Sequence, residues 1–212
     1  MRKKLLVFDF DGTIADTLLI AEQILNETGH EFGLPPVSRE QIMQYKHLSL
    51  TELMNLSGLK WVQLPVFIRR ARSGFKRHMG QVKPIEGMPD VLRELARTYR
   101  MGILTSNSEE GVRAFLTQHD LQLFEFIHSP SSLFGKGKRL KKILKAHSLQ
   151  PDDLIMIGDE QRDIEAAHQA GIDSIAVTWG FNGPHLLRAV EPTYLSETPR
   201  ELLDLFARSE AS

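Results

Sequence analysis

The sequence predicts an α/β protein in which a doubly wound parallel sheet is interrupted by an inserted all-helical domain. Short apolar runs recur along the 212 residues and end in polar residues, as strands buried on both faces do. From residue 85 onward, helical spacing alternates with these runs, which is typical of a doubly wound fold. Residues 17–84 carry helical signals and no convincing strand pattern. We therefore predict a core domain of residues 1–16 and 85–212, with a helical cap domain of residues 17–84.

Five short apolar runs are the predicted strands of the sheet. Helical patterns separate them, so the strands are expected to lie parallel to one another. In chain order, the runs are residues 5–8, 101–104, 124–127, 154–157 and 174–177.

Residues with capping preferences mark the ends of the predicted helices in the core. Pro89 suits a first helical position. Asn107 with Glu110 can cap the next helix. Gly171 is suited to end a helix, and Thr198 to begin the last one.

The inserted segment contains two helix starts of the capping-box type. They are Ser38 with Gln41, and Ser49 with Glu52. Helices are therefore expected throughout this segment.

Composition excludes several classes of function. The chain has 26 basic and 27 acidic residues, and this balance argues against general binding to nucleic acids or membrane surfaces. It has no cysteine, which excludes disulfides, thiolate chemistry and cysteine-based metal sites. No signal-peptide pattern and no run of transmembrane length is present. A cytoplasmic location is therefore expected.

Four aspartates are predicted to meet at one edge of the sheet. Asp9 and Asp11 follow the first run, and Asp159 and Asp163 follow the fourth. Ligands of open α/β sheets bind outside the carboxyl ends of the strands. Carboxylates in such a group repel one another unless a cation neutralises them. Mg²⁺ is the usual partner of these oxygen ligands, and Mn²⁺ stays an alternative.

The segment from Asp9 to Thr13 is the most informative part of the chain. Alternate side chains of an extended segment share a side, so Asp9 and Asp11 face the same way and Phe10 faces the other. One carboxylate can serve as a nucleophile and the other as a proton donor and acceptor. Gly12 allows a sharp exit from the strand. A simple Asp turn after an edge strand is the alternative interpretation.

A hydroxyl group and a lysine complete the predicted cluster. Thr105 lies directly at a strand end and is favoured over Ser106, because Ser106 and Ser108 suit the cap of the following helix better. The lysine is either Lys136 or Lys138. We favour Lys136, because it comes first after the loop and before the helical stripe.

These motifs together resemble the haloacid dehalogenase superfamily, in its phosphatase branch with a small helical cap. The resemblance spans the chain and rests on four motifs in order: Asp9 to Thr13, Thr105, a loop lysine, and Gly158 to Asp163. Residues 178–181 are similar to phosphoglycolate-phosphatase-like members. In one departure from the family pattern, proline follows neither candidate lysine: Gly137 follows Lys136, and Arg139 follows Lys138.

The resemblance implies a reaction through a covalent intermediate. Asp9 would attack the substrate phosphorus to give an aspartyl-phosphate. Asp11 would protonate the leaving alcohol and later deprotonate water. Mg²⁺ would be held by Asp9, the backbone carbonyl of Asp11 and Asp159, with Asp163 acting through water or by holding the lysine.

The resemblance also implies a site for the transferring phosphoryl group. The Thr105 hydroxyl and the backbone N–H groups near it, at Ser106 and Asn107, would bind this group. Gly12 is assigned to the same phosphate-binding set, and Lys136 to the catalytic one.

The helical cap is expected to close over this site and to select the substrate. Its basic bias suits phosphorylated substrates with a second anionic group, although these residues can equally be solvated helix surface. His47, near the helix start at Ser49, is our first candidate for a substrate contact.

The predicted function is Mg²⁺-dependent hydrolysis of small phosphorylated metabolites, with phosphoglycolate as the best single candidate. Asp11 argues against a dehalogenase, because a departing halide needs no proton. A sugar-phosphate mutase of the same superfamily and a non-catalytic phosphoryl-binding or partner-binding relative stay open. The protein is expected to be a monomer or weak homodimer without nucleic-acid or membrane partners.

Overall fold

The structure, a computed structural model, describes residues 3–129 and 135–207. These residues contain the predicted α/β architecture. All strands of the sheet are parallel, and helices cover both of its faces. The strands are β1 (Leu5–Phe8), β2 (Arg100–Leu104), β3 (Phe126–His128), β4 (Leu154–Gly158), β5 (Asp173–Val177) and β6 (Tyr194–Ser196).

The six strands lie in the order β3-β2-β1-β4-β5-β6, so β1 occupies an interior position. The five predicted strands are confirmed, with β3 displaced by one or two residues from the predicted run. β6 was not predicted, because its three residues are too few to show a periodic pattern.

The described helices alternate with the strands after β2. In the core they are α5 (Met88–Leu95), α6 (Glu109–Gln118), α7 (Lys136–Ala146), α8 (Gln161–Ala170), α9 (Pro184–Ala189) and α10 (Pro199–Ala207). Before them, between β1 and β2, come α1 (Leu18–Glu31), α2 (Arg39–Tyr45), α3 (Leu50–Ser57) and α4 (Leu64–His78).

We call residues 17–84 the insert. It leaves and rejoins the core at adjacent points: the Asp16 N–H donates to the Lys83 carbonyl at 2.8 Å, and Ala15 forms a bridge with Pro84. Both predicted capping boxes, at Ser38 and Ser49, begin helices of the insert. This joining point lies only a few residues beyond the end of β1, so the insert begins beside the edge of the sheet at which β1 ends.

Side chains of β1 alternate between two apolar layers. Leu6 and Phe8 join the larger core cluster, while Leu5 and Val7 face the cluster that includes α7 and α8. This burial on both faces explains why the strand is apolar throughout. None of the helices in the described part of the chain has the length and apolar character needed to cross a membrane.

One predicted helix cap is corrected by the structure. Ser108, and not Asn107 with Glu110, is the N-cap of α6, and its hydroxyl accepts a hydrogen bond from the Gly111 N–H at 3.2 Å. The Asn107 side chain instead points to a carboxylate of the site described next, which is why it is not available as a cap.

Candidate active site

The predicted site residues leave the sheet at one edge. Phe8 pairs with Ile103 of β2 and Ile157 of β4, so the ends of three neighbouring strands lie side by side. Their next polar side chains are those of Asp9, Thr105 and Asp159, and all three are buried. The register therefore brings together residues that are far apart in sequence.

Asp9 and Asp11 lie on the same side of the segment that follows β1, as the alternation predicted. Phe10 between them points into the core, where its ring packs edge-to-face on Phe115. The Asp9 carboxylate accepts a hydrogen bond from the Phe10 N–H at 2.7 Å. Asp9 is buried and Asp11 is half-buried, so the second carboxylate is the more accessible one.

The backbone conformation at position 12 and the close approach of a neighbouring side chain both require glycine there. Its φ of +73° lies in the left-handed region, and a Cβ there would overlap the Asp159 carboxylate. The next residue, Thr13, donates its hydroxyl to Asp159 Oδ1 at 2.6 Å. Trp179 donates its indole N–H to the Thr13 carbonyl at 3.2 Å. The tight turn thus holds Asp159 against the end of β1.

Lys136 lies buried between two carboxylates, at the first position of α7. Its Nζ is 2.7 Å from Asp9 Oδ2 and 2.6 Å from Asp163 Oδ1. Lys138, the alternative lysine, is exposed. Burial lowers the pKa of Lys136, but the charges of Asp163 and Asp9 outweigh this effect and raise it overall. Lys136 is therefore a charged member of the group.

Three buried aspartates could hold a metal ion. Asp9, Asp159 and Asp163 each offer a carboxylate oxygen, and these oxygens lie within 4.8 Å of one another. Each side chain is already oriented: Asp159 also accepts from the Phe181 N–H at 2.7 Å, and Asp163 from the Glu160 N–H at 3.2 Å. Hard, preoriented oxygen donors of this kind fit a divalent cation such as Mg²⁺.

Burial and the repulsion of neighbouring carboxylates raise the pKa values of Asp9 and Asp159. For Asp9, burial raises the pKa most, Asp163 raises it further, and Lys136 and Arg162 oppose the change. The pKa of Asp159 is raised mainly by burial and next by Glu160. A divalent cation would favour the ionised forms, so these shifts describe a cluster suited to one.

Asp11 has an environment suited to proton transfer. Burial raises its pKa to about 6, while Lys136 and Arg162 oppose the shift. Its carboxylate oxygens accept hydrogen bonds from Asn107 Nδ2 at 3.2 and 3.4 Å. A carboxyl group that titrates near neutral pH can both give and take a proton.

Thr105 and its neighbours form a set of donors beside the aspartates. The Thr105 hydroxyl accepts from the Asn107 N–H at 2.9 Å, which leaves its own hydrogen free to be donated. Ser106 is half-buried and lines the cavity described below, as does Asn107. The structure therefore places Thr105, Ser106 and Asn107 at the same edge as Asp9 and Asp11.

Arg162 is a member of the site that the sequence analysis left unassigned. It forms an ion pair with Glu160, and its charge lowers the pKa values of Asp9 and Asp11. Its Nε atom is buried and has no hydrogen-bond partner among the described residues. The sequence analysis selected the segment Gly158 to Asp163 for its aspartates. The arginine within the same segment is the feature that could have identified Arg162 as a site residue.

The loop after β5 supplies further contacts that were not predicted. A Cβ at Gly180 would overlap the Asp159 side chain, so the loop needs glycine to approach it closely. The N–H groups of Phe181 and Asn182 donate to the Asp159 side chain and carbonyl. The sequence feature that could have indicated these contacts is a glycine between aromatic residues just after a strand.

His47 lies apart from the carboxylate cluster, at the junction of insert and core. The Lys46 carbonyl accepts a hydrogen bond from the Gly183 N–H at 2.7 Å. A Cβ at Gly183 would lie 2.7 Å from His47 Nδ1, so the imidazole packs closely on this loop. Lys46, and not His47, is among the described residues that line the adjoining cavity.

That cavity has a volume of about 520 Å³. It joins the interior of the insert to the edge of the sheet that carries Asp9, Asp11 and Thr105, which we call the catalytic edge. Asp11, Asn107 and Arg162 line one end. Side chains of the four insert helices line the remainder. A substrate held at Asp9 and Asp11 would therefore extend toward the insert.

Comparison with known protein families and structures identifies relatives of this chain. The profile of the haloacid dehalogenase-like hydrolase family matches residues 6–177. A solved structure of a haloacid dehalogenase-like family hydrolase from Streptococcus pneumoniae superposes with a TM-score of 0.81 at 25% identity, covering 97% of this chain and 99% of that one.

Two curated proteins are similar to the chain over most of their length. A phosphoglycolate phosphatase from Synechococcus elongatus is 33% identical over 200 residues, covering 93% of this chain and 94% of that protein. A pyrophosphatase from Bacillus mycoides is 25% identical, covering 98% and 99% respectively. Both similarities include the insert as well as the core.

Proposed function

Because the chain belongs to the haloacid dehalogenase-like hydrolase family, among its phosphatases, we propose that it hydrolyses small phosphorylated metabolites with Asp9 as nucleophile. The observation that carries this proposal is the position of Asp9. Its buried carboxylate is oriented by the Phe10 N–H and by Lys136, with Asp11 on the same side of the chain.

In the first step, a carboxylate oxygen of Asp9 forms a bond to phosphorus as the bond to the alcohol oxygen breaks. Asp11 delivers its proton to that departing oxygen, so the alcohol leaves neutral. The hydrogen bonds from Asn107 to Asp11 hold the donor in place. The product of this step is an aspartyl-phosphate.

In the second step, Asp11 accepts a proton from water as the water oxygen attacks the same phosphorus. The bond between phosphorus and Asp9 breaks, phosphate is released and the Asp9 carboxylate is restored. Asp11 regains the proton that it gave in the first step, so the cycle is balanced.

The phosphoryl oxygens are held by donors at the sheet edge. The hydrogen of the Thr105 hydroxyl would be donated to the charge that develops there, whereas the Asn107 N–H is already bonded to the Thr105 oxygen. Lys136 keeps Asp9 oriented and offsets negative charge beside it. Gly12 allows the turn to approach closely, because a side chain would collide with Asp159.

Mg²⁺ fits the site as cofactor. Asp9, Asp159 and Asp163 would hold it, with the backbone carbonyl of Asp11 as a further oxygen ligand. When bound, it supplies positive charge between an anionic nucleophile and an anionic phosphate. The aspartate cluster supports a divalent cation, and the choice of Mg²⁺ over Mn²⁺ is part of the proposal.

The insert is proposed to act as a cap domain over residues 17–84, as its position beside the catalytic edge suggests. Closure over the phosphate site would exclude water during the first step. The contact between Lys46 and Gly183 supports this arrangement. Phosphoglycolate is the first substrate to test, because a 33% identical relative bears that name.

The test is phosphate release from a panel of phosphorylated compounds, with Mg²⁺ and with chelator. The panel contains phosphoglycolate, sugar phosphates, nucleoside monophosphates, pyrophosphate and nitrophenyl phosphate. We expect turnover that requires the metal and falls by about 10⁴-fold or more in Asp9→Asn. Circular dichroism checks that the variant is folded. Substantial turnover by a folded Asp9→Asn protein would remove Asp9 from the role of nucleophile.

A further inference from the structure

The cavity between the catalytic edge and the insert differs in character along its length. At 520 Å³, it falls within the range of roughly 300–1,000 Å³ typical of small-molecule sites. Its catalytic end contains Asp11, Asn107 and Arg162. Beyond that end the walls are mostly aliphatic and aromatic, with contributions from every helix of the insert: Ile24, Ile42, Met54, Phe67, Ile68 and Phe75.

Polar groups are sparse on the insert side of the cavity. Among the lining residues of the insert that the structure describes, Tyr45, Lys46 and Ser57 alone have polar side chains. Lys46 lies at the catalytic end, since its carbonyl contacts Gly183 and its charge interacts with Asp159. The deep part of the cavity therefore has no described cation to receive a second anionic group.

Two other cations of the insert have partners on its own surface. Arg70 pairs with Glu31 at 3.3 Å and Arg77 with Glu27 at 3.2 Å, and these side chains are largely exposed. The basic bias of the sequence thus includes solvated helix surface. It does not by itself describe what the cavity binds.

The size of the cavity also indicates its use. The cavity is partly open to solvent, and a contiguous apolar surface of this kind is typical of a ligand-binding site. Since a water molecule takes about 30 Å³ of the liquid, the space greatly exceeds that needed for a two-carbon alcohol. An extended apolar group fits both its volume and its walls.

We propose that this cavity is the leaving-group site and that it selects phosphomonoesters of apolar alcohols over esters that carry a second anion. The proposal rests on the proposed function, because the cavity begins at Asp11, the residue that protonates the leaving oxygen. A hydrocarbon body extends from this oxygen into the insert. In the deep part of the cavity, an anionic group would lose hydration without gaining a partner among the described residues.

The direct test is a series of linear alkyl phosphates: ethyl, butyl, hexyl and octyl. Their leaving groups have nearly equal basicity, so differences in kcat/KM report binding of the chain. We expect kcat/KM to rise about fourfold for each buried methylene until the cavity is full. Hexyl phosphate should then exceed phosphoglycolate. A flat or falling series, or a preference for phosphoglycolate, would overturn the proposal.

A matched pair of variants on α4 locates the effect. Ala71 lines the cavity, whereas Ser73, two residues along the same helix, is exposed and is not among its lining residues. Ala71→Leu should lower the ratio of kcat/KM for hexyl over ethyl phosphate by about tenfold or more. Ser73→Leu should preserve this ratio. Equal ratios in both variants would place the alkyl chain elsewhere.

The same assay separates failure of this inference from failure of the proposed function. Turnover that depends on Asp9 but shows no gain with chain length overturns the inference alone. Absence of Asp9-dependent turnover for every ester, nitrophenyl phosphate included, overturns both. The wild-type series decides the question even if the Ala71→Leu protein does not fold.

Discussion

At the scale of single residues, the site holds several carboxylates close together in a small buried volume. Asp9 and Asp163 share one cation, the ammonium group of Lys136, at distances of 2.7 and 2.6 Å. Asp159 forms no ion pair with a cation of the described residues and is held by neutral donors, the Thr13 hydroxyl and the Phe181 N–H. This division leaves a position of negative potential that a divalent cation can fill.

Removing the Lys136 charge should therefore destabilise the protein. In Lys136→Gln, two buried carboxylates lose their cation, and such losses cost about 3–5 kcal/mol. Urea unfolding in chelator measures this difference against the wild type. Lys138→Gln is the matched control, because Lys138 is exposed on the same helix turn. Equal stability of the two variants would contradict a charged Lys136 between the carboxylates.

The role of Asp11 can be separated from that of Asp9 by the leaving group. In Asp11→Asn, phosphorylation by an alkyl phosphate should slow by about 10²–10⁴-fold, because no proton reaches the alkoxide. Nitrophenyl phosphate needs no such proton, so it should still give a burst of one nitrophenolate per enzyme. Rapid-quench and absorbance measurements record both rates. An equal loss of the two phosphorylation rates would remove the acid role from Asp11.

The sequence predicted that the aspartates and Lys136 lie together, because each of them follows a strand end or a loop. It chose His47 in the insert, but the structure places Lys46 at the cavity and His47 against Gly183. The two residues are adjacent in the turn between α2 and α3, where no periodicity decides which side chain faces inward. Arg162 was missed since a charged residue in a helical first turn is usually solvated.

At the scale of elements, glycines in loops determine how closely the catalytic segments approach. The loop after β5 passes over Asp159 so closely that Gly180 leaves no space for a side chain. A similar restriction holds at Gly12, because a Cβ there would overlap the same carboxylate oxygen, Asp159 Oδ2. Asp159 is thus enclosed by two turns that contain no Cβ at the point of contact.

Gly180→Ala should weaken metal binding while the fold is kept. The added methyl group forces the Asp159 carboxylate to move, and changes around metal ligands typically weaken affinity by about 10–100-fold. The Mg²⁺ concentration for half-maximal activity measures this shift.

Gly80→Ala is the control for this substitution, because nothing lies within 4 Å of a Cβ at that position. It should leave the half-maximal Mg²⁺ concentration unchanged. A wild-type metal requirement in Gly180→Ala would show that Asp159 does not depend on this loop.

The elements themselves were predictable where local chemistry determines them. Unbroken apolar runs identified β1, β2, β4 and β5, and two capping boxes identified the starts of α2 and α3. The sequence left the cap of α6 between Asn107 and Ser108, because both are good capping residues. A tertiary contact, the bond from Asn107 to Asp11, decides between them.

At the scale of the whole molecule, a core sheet and a helical insert meet beside the aspartate cluster. The two segments that connect the insert to the core are joined by the hydrogen bond from the Asp16 N–H to the Lys83 carbonyl. The insert is therefore anchored next to the segment that carries Asp9 and Asp11. From the interruption of strand–helix alternation, the sequence predicted helices between β1 and β2, which the structure contains. The division into a core domain and a cap domain stays a prediction. The sequence could not predict the cavity, whose lining residues come from many helices and depend on how those helices pack.

The carboxylate cluster also makes the stability of the whole protein depend on metal. A cation that binds the folded cluster and not the unfolded chain stabilises the fold, by about 2.7 kcal/mol at a concentration 100 times its Kd. For a chain of this length, Tm should rise by roughly 5–10 °C. Calorimetry with Mg²⁺, against NaCl of equal ionic strength, measures the shift.

Asp159→Asn supplies the decisive comparison for this prediction. The amide keeps the size of the side chain but removes one of the three anionic ligands, so Mg²⁺ should raise its Tm much less than that of the wild type. The variant without metal should be no less stable than the wild type under the same conditions, because one repelling buried charge has gone. An equal Mg²⁺ shift in both proteins would mean that the metal stabilises the fold from another site.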